Sequence, residues 1–332
     1  MLAQRLKKPR PVEQRPLELE EVPIPEPEVG QIRIRVRACG VCRTDLHLVE
    51  GEIATPKLPI TPGHQIVGVV DKLGEGVGDW KVGERVGVPW LGGTCGQCFF
   101  CRHEKENLCD SATFTGQHFD GGFAEYTVVR GDFVHRLPEG FDDIYAAPLL
   151  CAGVIGYRAL KLAKVPEGGK VGLIGFGASA HITLQVARAL GAEVFVMSRN
   201  PRHQEHARRL GAVWAGSAKD ELPAQLDSVV NFAPAGETVI TALKALRKGG
   251  TVSCAGIHMS PIPAMDYELI YGERTLLSTA NSTRADVREL LDIAARISLQ
   301  PDVELFCLAE TNEALLRVKT GNLVGAAVVS LR

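Results

Sequence analysis

The fold is decided by Lys170-Val-Gly-Leu-Ile-Gly-Phe-Gly-Ala-Ser-Ala180, an apolar run followed by a glycine-rich turn and the start of a helical pattern. The apolar run is short and ends at glycine, which predicts a buried strand. Apolar residues then recur at helical spacing as far as Leu190, which predicts a helix. A turn of the form G-x-G-x-x-G/A between a strand and a helix is typical of dinucleotide-binding domains.

Each small residue of this turn has a physical role in binding a nucleotide. Gly175 permits the turn itself, and Gly177 lets the backbone approach a pyrophosphate. Ala178 opens the predicted helix, whose free N–H groups and dipole favour phosphate. Ala180 keeps the helix close to the strand. The alternative is a glycine-rich turn that is purely structural.

Strands and helices alternate on both sides of this turn. Further buried strands are predicted at 193–197, 227–231 and 251–255, and helices at 203–210 and 238–246, the last ended by Gly249-Gly250. Such alternation predicts an α/β domain with a doubly wound parallel sheet and helices on both faces. We expect this domain to span residues 152–285.

The preceding part of the chain has a different pattern. After a proline-rich lead-in, short apolar runs separated by glycine predict strands at 31–37, 66–70, 81–88 and 122–129. This pattern indicates a compact β-rich domain, in the form of a distorted barrel. A predicted helix at 284–297 and a strand at 326–331 would rejoin it, so we expect this domain to comprise residues 1–151 and 286–332.

Composition and charge exclude several classes of function. The 332 residues are 45% hydrophobic and 23% charged, with a formal net charge of −2. This charge gives no long-range attraction to nucleic acid or to an anionic membrane. No apolar run approaches the roughly 18 residues of a membrane span. The amino terminus lacks the apolar core of a signal peptide, so a cytoplasmic location is expected.

Four cysteines at short spacing form the most specific single motif, Cys95-x2-Cys98-x2-Cys101-x7-Cys109. Four thiolates can close a tetrahedron around zinc with no open position, which predicts a structural site. An iron–sulfur cluster of the bacterial ferredoxin type needs its fourth cysteine three residues on, followed by proline. Disulfides do not fit a reducing compartment. The other isolated cysteines, Cys39, Cys254 and Cys307, are expected to be buried free thiols.

A second cluster lies in Cys39-Gly-Val-Cys-Arg-Thr-Asp-Leu-His47, directly after the predicted strand at 31–37. Two further motifs supply an imidazole at His64, beside a tight turn, and a thiol at Cys151, in an apolar setting. Together Cys42, His64 and Cys151 would form a Cys2His zinc site with one open position, as catalytic zinc requires.

The end of the second predicted strand of the dinucleotide domain indicates the cofactor. Enzymes that use NAD carry an acidic residue there, about 20 residues after the glycines, which binds the ribose hydroxyls. This chain has Ser198-Arg-Asn200 instead. Ser198 and the planar guanidinium of Arg199 are suited to a 2′-phosphate. We therefore expect a preference for NADP. If Arg199 is only a solvated surface residue, NAD remains usable.

Taken together these motifs resemble the zinc-dependent, medium-chain alcohol dehydrogenase family over almost the whole chain. The resemblance implies a GroES-like catalytic domain with an inserted Rossmann domain. It also implies two zinc ions, one catalytic and one structural, a small alcohol or aldehyde as substrate, and a homo-oligomer, either a dimer or a tetramer.

The resemblance also implies roles for single residues. Thr44 matches the hydroxyl that bonds the substrate alcohol, and His47 matches the imidazole that passes its proton to solvent. Asp45 matches a carboxylate that supports the histidine ligand, and Arg43 a pyrophosphate contact. Trp90 matches a tryptophan that narrows the substrate pocket in the yeast and bacterial branch.

One position departs from the family, whose members mostly have His-Glu where this chain has His64-Gln65. The family glutamate lies near the metal, so a neutral Gln65 implies altered ligand exchange. Three functions therefore stay open: an alcohol dehydrogenase or aldehyde reductase, a polyol or amino-alcohol dehydrogenase, and a catalytically silent nucleotide-binding homologue. The intact ligand triad and the Thr44–His47 pair favour an enzyme.

Overall fold

The computed structural model describes residues 1–331, which form two compact units. One unit comprises Met1–Cys151 together with the chain from Asn281 onward, and the other is Ala152–Ala280. The first unit therefore resumes at Asn281, ahead of the predicted residue 286. The next helix begins just beyond, where Thr283 caps its amino end with a buried side chain.

The strands and helices are numbered in chain order. The strands are β1 Leu2–Leu6, β2 Leu17–Glu21, β3 Gln31–Val41, β4 Gln65–Leu73, β5 Arg85–Val88, β6 Leu91–Gly93, β7 Thr113–Phe114, β8 Tyr126–Arg130, β9 His135–Arg136, β10 Lys170–Ile174, β11 Glu193–Met197, β12 Trp214–Gly216, β13 Leu226–Asn231, β14 Leu246–Cys254, β15 Thr275–Ser278, β16 Val303–Cys307 and β17 Ala326–Ser330. The α-helices are α1 Arg43–Glu50, α2 Phe99–Arg102, α3 Asp143–Ala146, α4 Ala152–Leu162, α5 Ala178–Ala189, α6 Pro201–Arg209, α7 Glu237–Ala245, α8 Arg284–Arg296 and α9 Thr311–Thr320.

The unit Ala152–Ala280 is the predicted parallel α/β domain. Its strands are hydrogen-bonded in the order β12-β11-β10-β13-β14-β15, and every neighbouring pair is parallel. Ile174 lies beside Met197 and Asn231, so the carboxyl ends of three strands meet at one edge. Parallel strands are covered on both faces by helices, which explains their continuous apolar runs.

One predicted element in this unit is wrong. Gly249 and Gly250 do not end a helix before a strand; they lie inside β14, which begins at Leu246. The pairing with β13 is irregular here, because Leu226 lies opposite Leu246 whereas Ser228 lies opposite Thr251. The glycine pair therefore occupies a bulge, where Gly249 adopts a φ of +74° that other residues rarely tolerate.

The other unit is β-rich, as predicted. Its main sheet has the order β16-β17-β3-β4-β5-β9, and β8 also pairs with β3. All pairs are antiparallel except β16 with β17. The predicted strands at 81–88 and 122–129 are shorter than expected, since they form only β5 and β8. The core includes fully buried apolar side chains from four of these strands, Ile34, Ile66, Val86 and Val329.

Helix α1 follows β3 almost directly, which fixes the position of the cluster from Cys42 to His47. Val41 is the last residue of β3, and Cys42 is the N-cap of α1.

Within residues 1–331, no helix is both long and apolar enough to cross a membrane.

Candidate metal centres and cofactor site

The first metal centre begins at the amino end of α1. The Cys42 Sγ accepts a hydrogen bond from the backbone N–H of Thr44, at 3.3 Å. In return, the Asp45 Oδ2 accepts from the backbone N–H of Cys42, at 3.0 Å. This reciprocal pair is a capping box with a thiol in the place usually taken by a hydroxyl. The cap orients Cys42 before any metal binds.

Asp45 also holds the histidine. Its Oδ1 accepts from the backbone N–H of Gly63 at 3.1 Å and lies 2.9 Å from Nδ1 of His64. A carboxylate acts as an acceptor, so Nδ1 carries the hydrogen and Nε2 is left to ligate. Asp45 and His64 are each only 2% exposed. A buried aspartate thus fixes the tautomer and the orientation of the imidazole, as carboxylates do for zinc-binding histidines.

Gly63 explains why the chain can turn tightly at this point. Its φ is +97°, and an added Cβ would lie 2.7 Å from the Phe123 ring. Any larger residue would therefore be strained and would collide with a buried side chain. The glycine allows His64 to approach both Asp45 and the thiols.

Cys151 completes the triad. The ligating atoms of Cys42, His64 and Cys151 all lie within 4.8 Å of one another, and Cys42 Sγ is 3.3 Å from His64 Nε2. Zinc bonds of about 2.3 Å to sulfur and 2.0–2.1 Å to nitrogen place tetrahedral ligand atoms roughly 3.5–3.8 Å apart. The three side chains therefore fit a zinc ion and leave a fourth position open.

The charges of the triad support one another. The hydrogen bond from Cys151 and the neighbouring His64 lower the pKa of the Cys42 thiol well below its ordinary value. Burial disfavours a charged His64, but Asp45 and Cys42 outweigh it and raise the pKa of His64 to about 10. A metal ligand must be deprotonated, so zinc at this centre would take the place of the proton on Nε2 of His64.

The four-cysteine loop forms a second centre. The four Sγ atoms all lie within 4.8 Å of one another, with separations of 3.5 Å between Cys98 and Cys101 and 3.6 Å between Cys95 and Cys109. These are the separations of a tetrahedral zinc tetrathiolate. Backbone N–H groups of Gln97 and Cys98 lower the pKa of the Cys95 thiol to about 6. Both the sequence spacing and the geometry of these four thiols fit a closed zinc site.

The remaining cysteines divide into two groups. Cys39 and Cys254 are buried, as expected, and burial raises the pKa of each thiol. Cys307 is exposed, so its predicted burial is wrong. It ends β16, which lies at the edge of its sheet, where one face of the strand is open to solvent.

A small pocket adjoins the first metal centre. Its lining includes Thr44, His64 and Trp90, together with Leu48 and Ile53. The Trp90 ring stacks on Phe114 at 4.3 Å between centroids, which holds the indole beside the pocket. Thr44 and Trp90 therefore line the same pocket as the ligand His64, and their predicted roles towards a substrate stay predictions.

Sequence reasoning missed part of this pocket. Thr115, Gly116 and Gln117 also line it. Thr115 is held by hydrogen bonds to the backbone oxygens of Pro89 and Trp90. No local motif marks these residues, because only the pairing of β6 with β7 brings them to the site.

Arg43 and His47 lie outside this pocket lining. Arg43 is exposed, and its Nη2 donates to the backbone oxygen of Val318 at 3.3 Å. The His47 side chain is 12% exposed, and its Nδ1 forms a very short contact with Oε2 of Glu52. These contacts test neither the predicted binding of a pyrophosphate by Arg43 nor the predicted proton transfer by His47. Both roles stay predictions.

Gln65 begins β4 beside the histidine ligand and is 1% exposed. Its side chain lies against Gly40 on the neighbouring strand, where an added Cβ would be 2.9 Å from Cδ of Gln65. A neutral amide is therefore packed directly after the histidine ligand.

The glycine-rich turn has the predicted form. Gly175 directly follows β10 and has a φ of +84°, which favours glycine, and Gly177 is the N-cap of α5. Ala178 opens the helix, and Ala180 is fully buried against the sheet. The free N–H groups of the first turn of α5 lie at the carboxyl edge of the parallel sheet, which is where dinucleotides bind.

The predicted 2′-phosphate residues follow β11. The Ser198 Oγ accepts from the backbone N–H of Asn200, and the backbone oxygen of Ser198 accepts from Gln204. Arg199 is exposed, and among residues 1–331 no acidic side chain forms an ion pair with it. Its guanidinium is therefore available to an anion.

Comparisons with known proteins agree with this geometry. Residues 28–139 match the model of the alcohol dehydrogenase GroES-like domain, and residues 178–296 match that of the zinc-binding dehydrogenases. A probable alcohol dehydrogenase of Mycobacterium tuberculosis is 43% identical over 99% of this chain and 97% of its own length. The chain belongs to the zinc-type medium-chain alcohol dehydrogenase family.

Solved structures of this family superpose on almost the whole chain. A cinnamyl alcohol dehydrogenase from Sorghum bicolor has a TM-score of 0.91 and 29% identity, covering 99% of this chain and 97% of the other. An acetophenone reductase from Geotrichum candidum, solved with NAD, has a TM-score of 0.88 and 26% identity, covering 99% and 96%. The predicted combination of a GroES-like and a Rossmann fold is confirmed.

Proposed function

We propose that this chain is a zinc-dependent alcohol dehydrogenase or aldehyde reductase, which transfers hydride between a primary or secondary alcohol and NAD(P). The observation that carries this proposal is the convergence of Cys42, His64 and Cys151 around one point, with Thr44 lining the adjacent pocket. Family membership supports an oxidoreductase that acts on alcohols.

The protein's own groups would prepare the metal site. Cys42, Cys151 and His64 would hold zinc, and Asp45 would keep the imidazole in the ligating tautomer. Zinc bound there would act as a Lewis acid and lower the pKa of an alcohol in the open position. The tetrahedral set of Cys95, Cys98, Cys101 and Cys109 would hold a second, structural zinc.

The pocket would position the substrate. Trp90 and the apolar side chains of Leu48 and Ile53 line the pocket beside the ligands and would contact the carbon skeleton of the substrate. Thr44 would accept the hydroxyl proton of the substrate, and His47 would pass it towards solvent. Because Thr44 and His47 are three residues apart on α1, they lie on the same side of the helix.

The dinucleotide would bind at the other unit's glycine-rich turn. Gly175 and Gly177 would admit its pyrophosphate, and the first turn of α5 would supply N–H donors. We infer a preference for NADP from Ser198 and Arg199, with NAD as the alternative. The protein is further proposed to act as a homo-oligomer in the cytoplasm.

A substrate panel on the zinc-loaded protein tests the function. We expect oxidation of ethanol or benzyl alcohol with either NAD or NADP, and loss of this activity in Cys42→Ser, which should retain the fold. Preferential oxidation of sorbitol or threonine would assign the polyol or amino-alcohol alternative. No oxidation of any member by a protein that contains both zinc ions would instead indicate a silent nucleotide-binding homologue.

A further inference from the structure

A second cavity, distinct from the pocket beside the first metal centre, lies in the β-rich unit. Strand β9 and its neighbours in the chain line one part of it, and α8 lines another. Its volume is about 750 Å³, within the range of roughly 300–1,000 Å³ in which proteins bind small molecules. The cavity therefore has room for a small organic molecule but not for a folded partner.

The apolar part of the lining is suited to a hydrocarbon or aromatic body. Trp80, Leu137 and Leu291 line the cavity and are 7%, 8% and 3% exposed. The indole N–H of Trp80 donates to the backbone oxygen of Gly131 at 2.9 Å, which fixes the ring and uses its one donor. This part of the lining therefore offers apolar contact rather than hydrogen bonds.

The charged part of the lining is mainly cationic. It contains the guanidinium groups of Arg136, Arg288 and Arg296, and one carboxylate, that of Asp292. Arg136 lies 3.7 Å from Glu84, but within residues 1–331 neither Arg288 nor Arg296 forms an ion pair. Arg296 Nε donates at 3.4 Å to the backbone oxygen of Asp292 in its own helix. Two guanidinium groups are thus available to an anion.

Helix α8 places a charge and an apolar group side by side. Arg288 and Leu291 are three residues apart, so their side chains are neighbours on the helix surface. Both line the cavity. A ligand with an anionic group next to an apolar body would match this order of side chains.

A buried histidine in the lining shows that the positive charge here is not balanced. His135 is 4% exposed, and its Nε2 has no hydrogen-bond partner within residues 1–331. Burial, and then the charges of Arg288 and Arg284, lower the pKa of His135 to about 3. The neighbouring arginines therefore disfavour a further positive charge in the lining, and a bound anion would offset their effect.

We propose that this cavity binds a small organic anion with an apolar or aromatic body. The anionic group would lie beside Arg288, and the body would pack on Trp80, Leu137 and Leu291. A neutral alcohol lacks the charge, so the site would select a different class of molecule from the proposed substrates. Binding here requires no turnover, so the inference does not depend on the proposed function.

A fluorescent probe with this chemistry tests the site. Anilinonaphthalene sulfonate joins an anionic sulfonate to an aromatic body, and it fluoresces when it binds apolar surface. Titration into the zinc-loaded protein, with saturating NADP⁺ to fill the proposed dinucleotide site, should show one dye bound per chain. Phenylnaphthylamine, the same aromatic body without the sulfonate, should bind about 10-fold more weakly or worse.

Variants of one arginine separate charge from packing. Arg288→Glu should raise the Kd of the dye about 10-fold or more, because attraction becomes repulsion, whereas Arg288→Lys should change it less than about twofold. Arg35→Glu is the matched control. It makes the same change of charge at an exposed residue of β3 outside the lining, and should leave the Kd unchanged.

Nuclear magnetic resonance of the wild type locates the bound dye without relying on the folding of a variant. The ring signal of His135 should shift on binding, whereas that of the exposed His103, in the same unit, should not. Any of three results would overturn the proposal: no binding of the dye, equal Kd values for the wild type and Arg288→Glu, or a His135 signal that the bound dye leaves unmoved.

Discussion

At the scale of single residues, Asp45 connects two of the ligands of the first metal centre. Its two oxygens bond Cys42 N–H, Gly63 N–H and His64, and so join two ligands that lie 22 positions apart in the sequence. A single carboxylate thereby links the start of α1 to the turn before β4. Removing its charge should loosen both ligands together.

Asp45→Asn should weaken zinc binding at this centre by about 10–100-fold, the usual cost of altering a hydrogen-bond partner of a ligand. Competition with a chromogenic chelator measures the affinity. Asp286→Asn is the matched control, since Asp286 is also a buried aspartate in a capping box but belongs to α8, away from the ligands. Unchanged zinc affinity in Asp45→Asn would contradict the assigned role.

Arg199 is the residue that should decide cofactor choice. In Arg199→Ala we expect kcat/KM for NADPH to fall about 10-fold or more, because hydrogen bonds to charged groups contribute about 1.5–3 kcal/mol. The value for NADH should change little. Arg209→Ala, at the other end of α6, is the control. Equal preference for both cofactors in the wild type and in Arg199→Ala would exclude the assignment.

At the scale of strands and helices, the sequence predicted an element correctly where the residues of that element alone carry its pattern. The strand–turn–helix of β10 and α5 was predictable because apolar runs, helical spacing and glycine agree there. Gly249 and Gly250 were misread as a helix stop, because glycine also occurs at bulges that only the pairing with β13 reveals. Likewise, Thr115 reaches the pocket through tertiary pairing, which leaves no local pattern.

The short strand β9 also carries a buried histidine with a measurable effect on stability. His135 is 4% exposed, and its Nε2 has no hydrogen-bond partner in the described chain. Burial, followed by the charges of Arg288 and Arg284 on α8, lowers the pKa of His135 to about 3. An unfolded histidine has a pKa of about 6.5, so between these values the unfolded state binds more protons.

His135 should therefore stabilise the fold less as the pH falls below about 6.5. The free-energy loss is about 1.4 kcal/mol per pH unit, or about 2 kcal/mol at pH 5. The Tm of His135→Asn minus the Tm of the wild type should be several degrees higher at pH 5 than at pH 8. The same difference for the exposed His258→Gln should not change with pH. If the Tm of the wild type and that of His135→Asn changed with pH in parallel, the assigned effect of His135 on stability would be disproved.

At the scale of the whole molecule, the two metal centres should control different properties. Both lie in the β-rich unit, and the first adjoins the small pocket lined by Thr44 and Trp90. The four-cysteine centre ties together the segment between β6 and β7, whose α-helix, α2, is only one turn long. Zinc there should chiefly stabilise the fold, whereas zinc at the triad should chiefly serve chemistry.

Metal analysis of three variants separates these roles. The wild type should contain two zinc ions per chain, and Cys42→Ser and Cys98→Ser should each contain one. Cys98→Ser should lower Tm, while Cys42→Ser should lose alcohol oxidation with a smaller change in Tm. Cys254→Ser, which alters a buried thiol outside both centres, should retain both ions. Two zinc ions in Cys98→Ser would refute the structural assignment.

The edge position of β16 has a practical consequence for chemical labelling. Once zinc occupies both thiolate clusters, Cys307 is the exposed cysteine of residues 1–331 that belongs to neither. A maleimide dye should therefore attach at this one position without prior mutagenesis. Its fluorescence would report on the sheet edge, and a second attached dye would signal that a cluster had lost its ion.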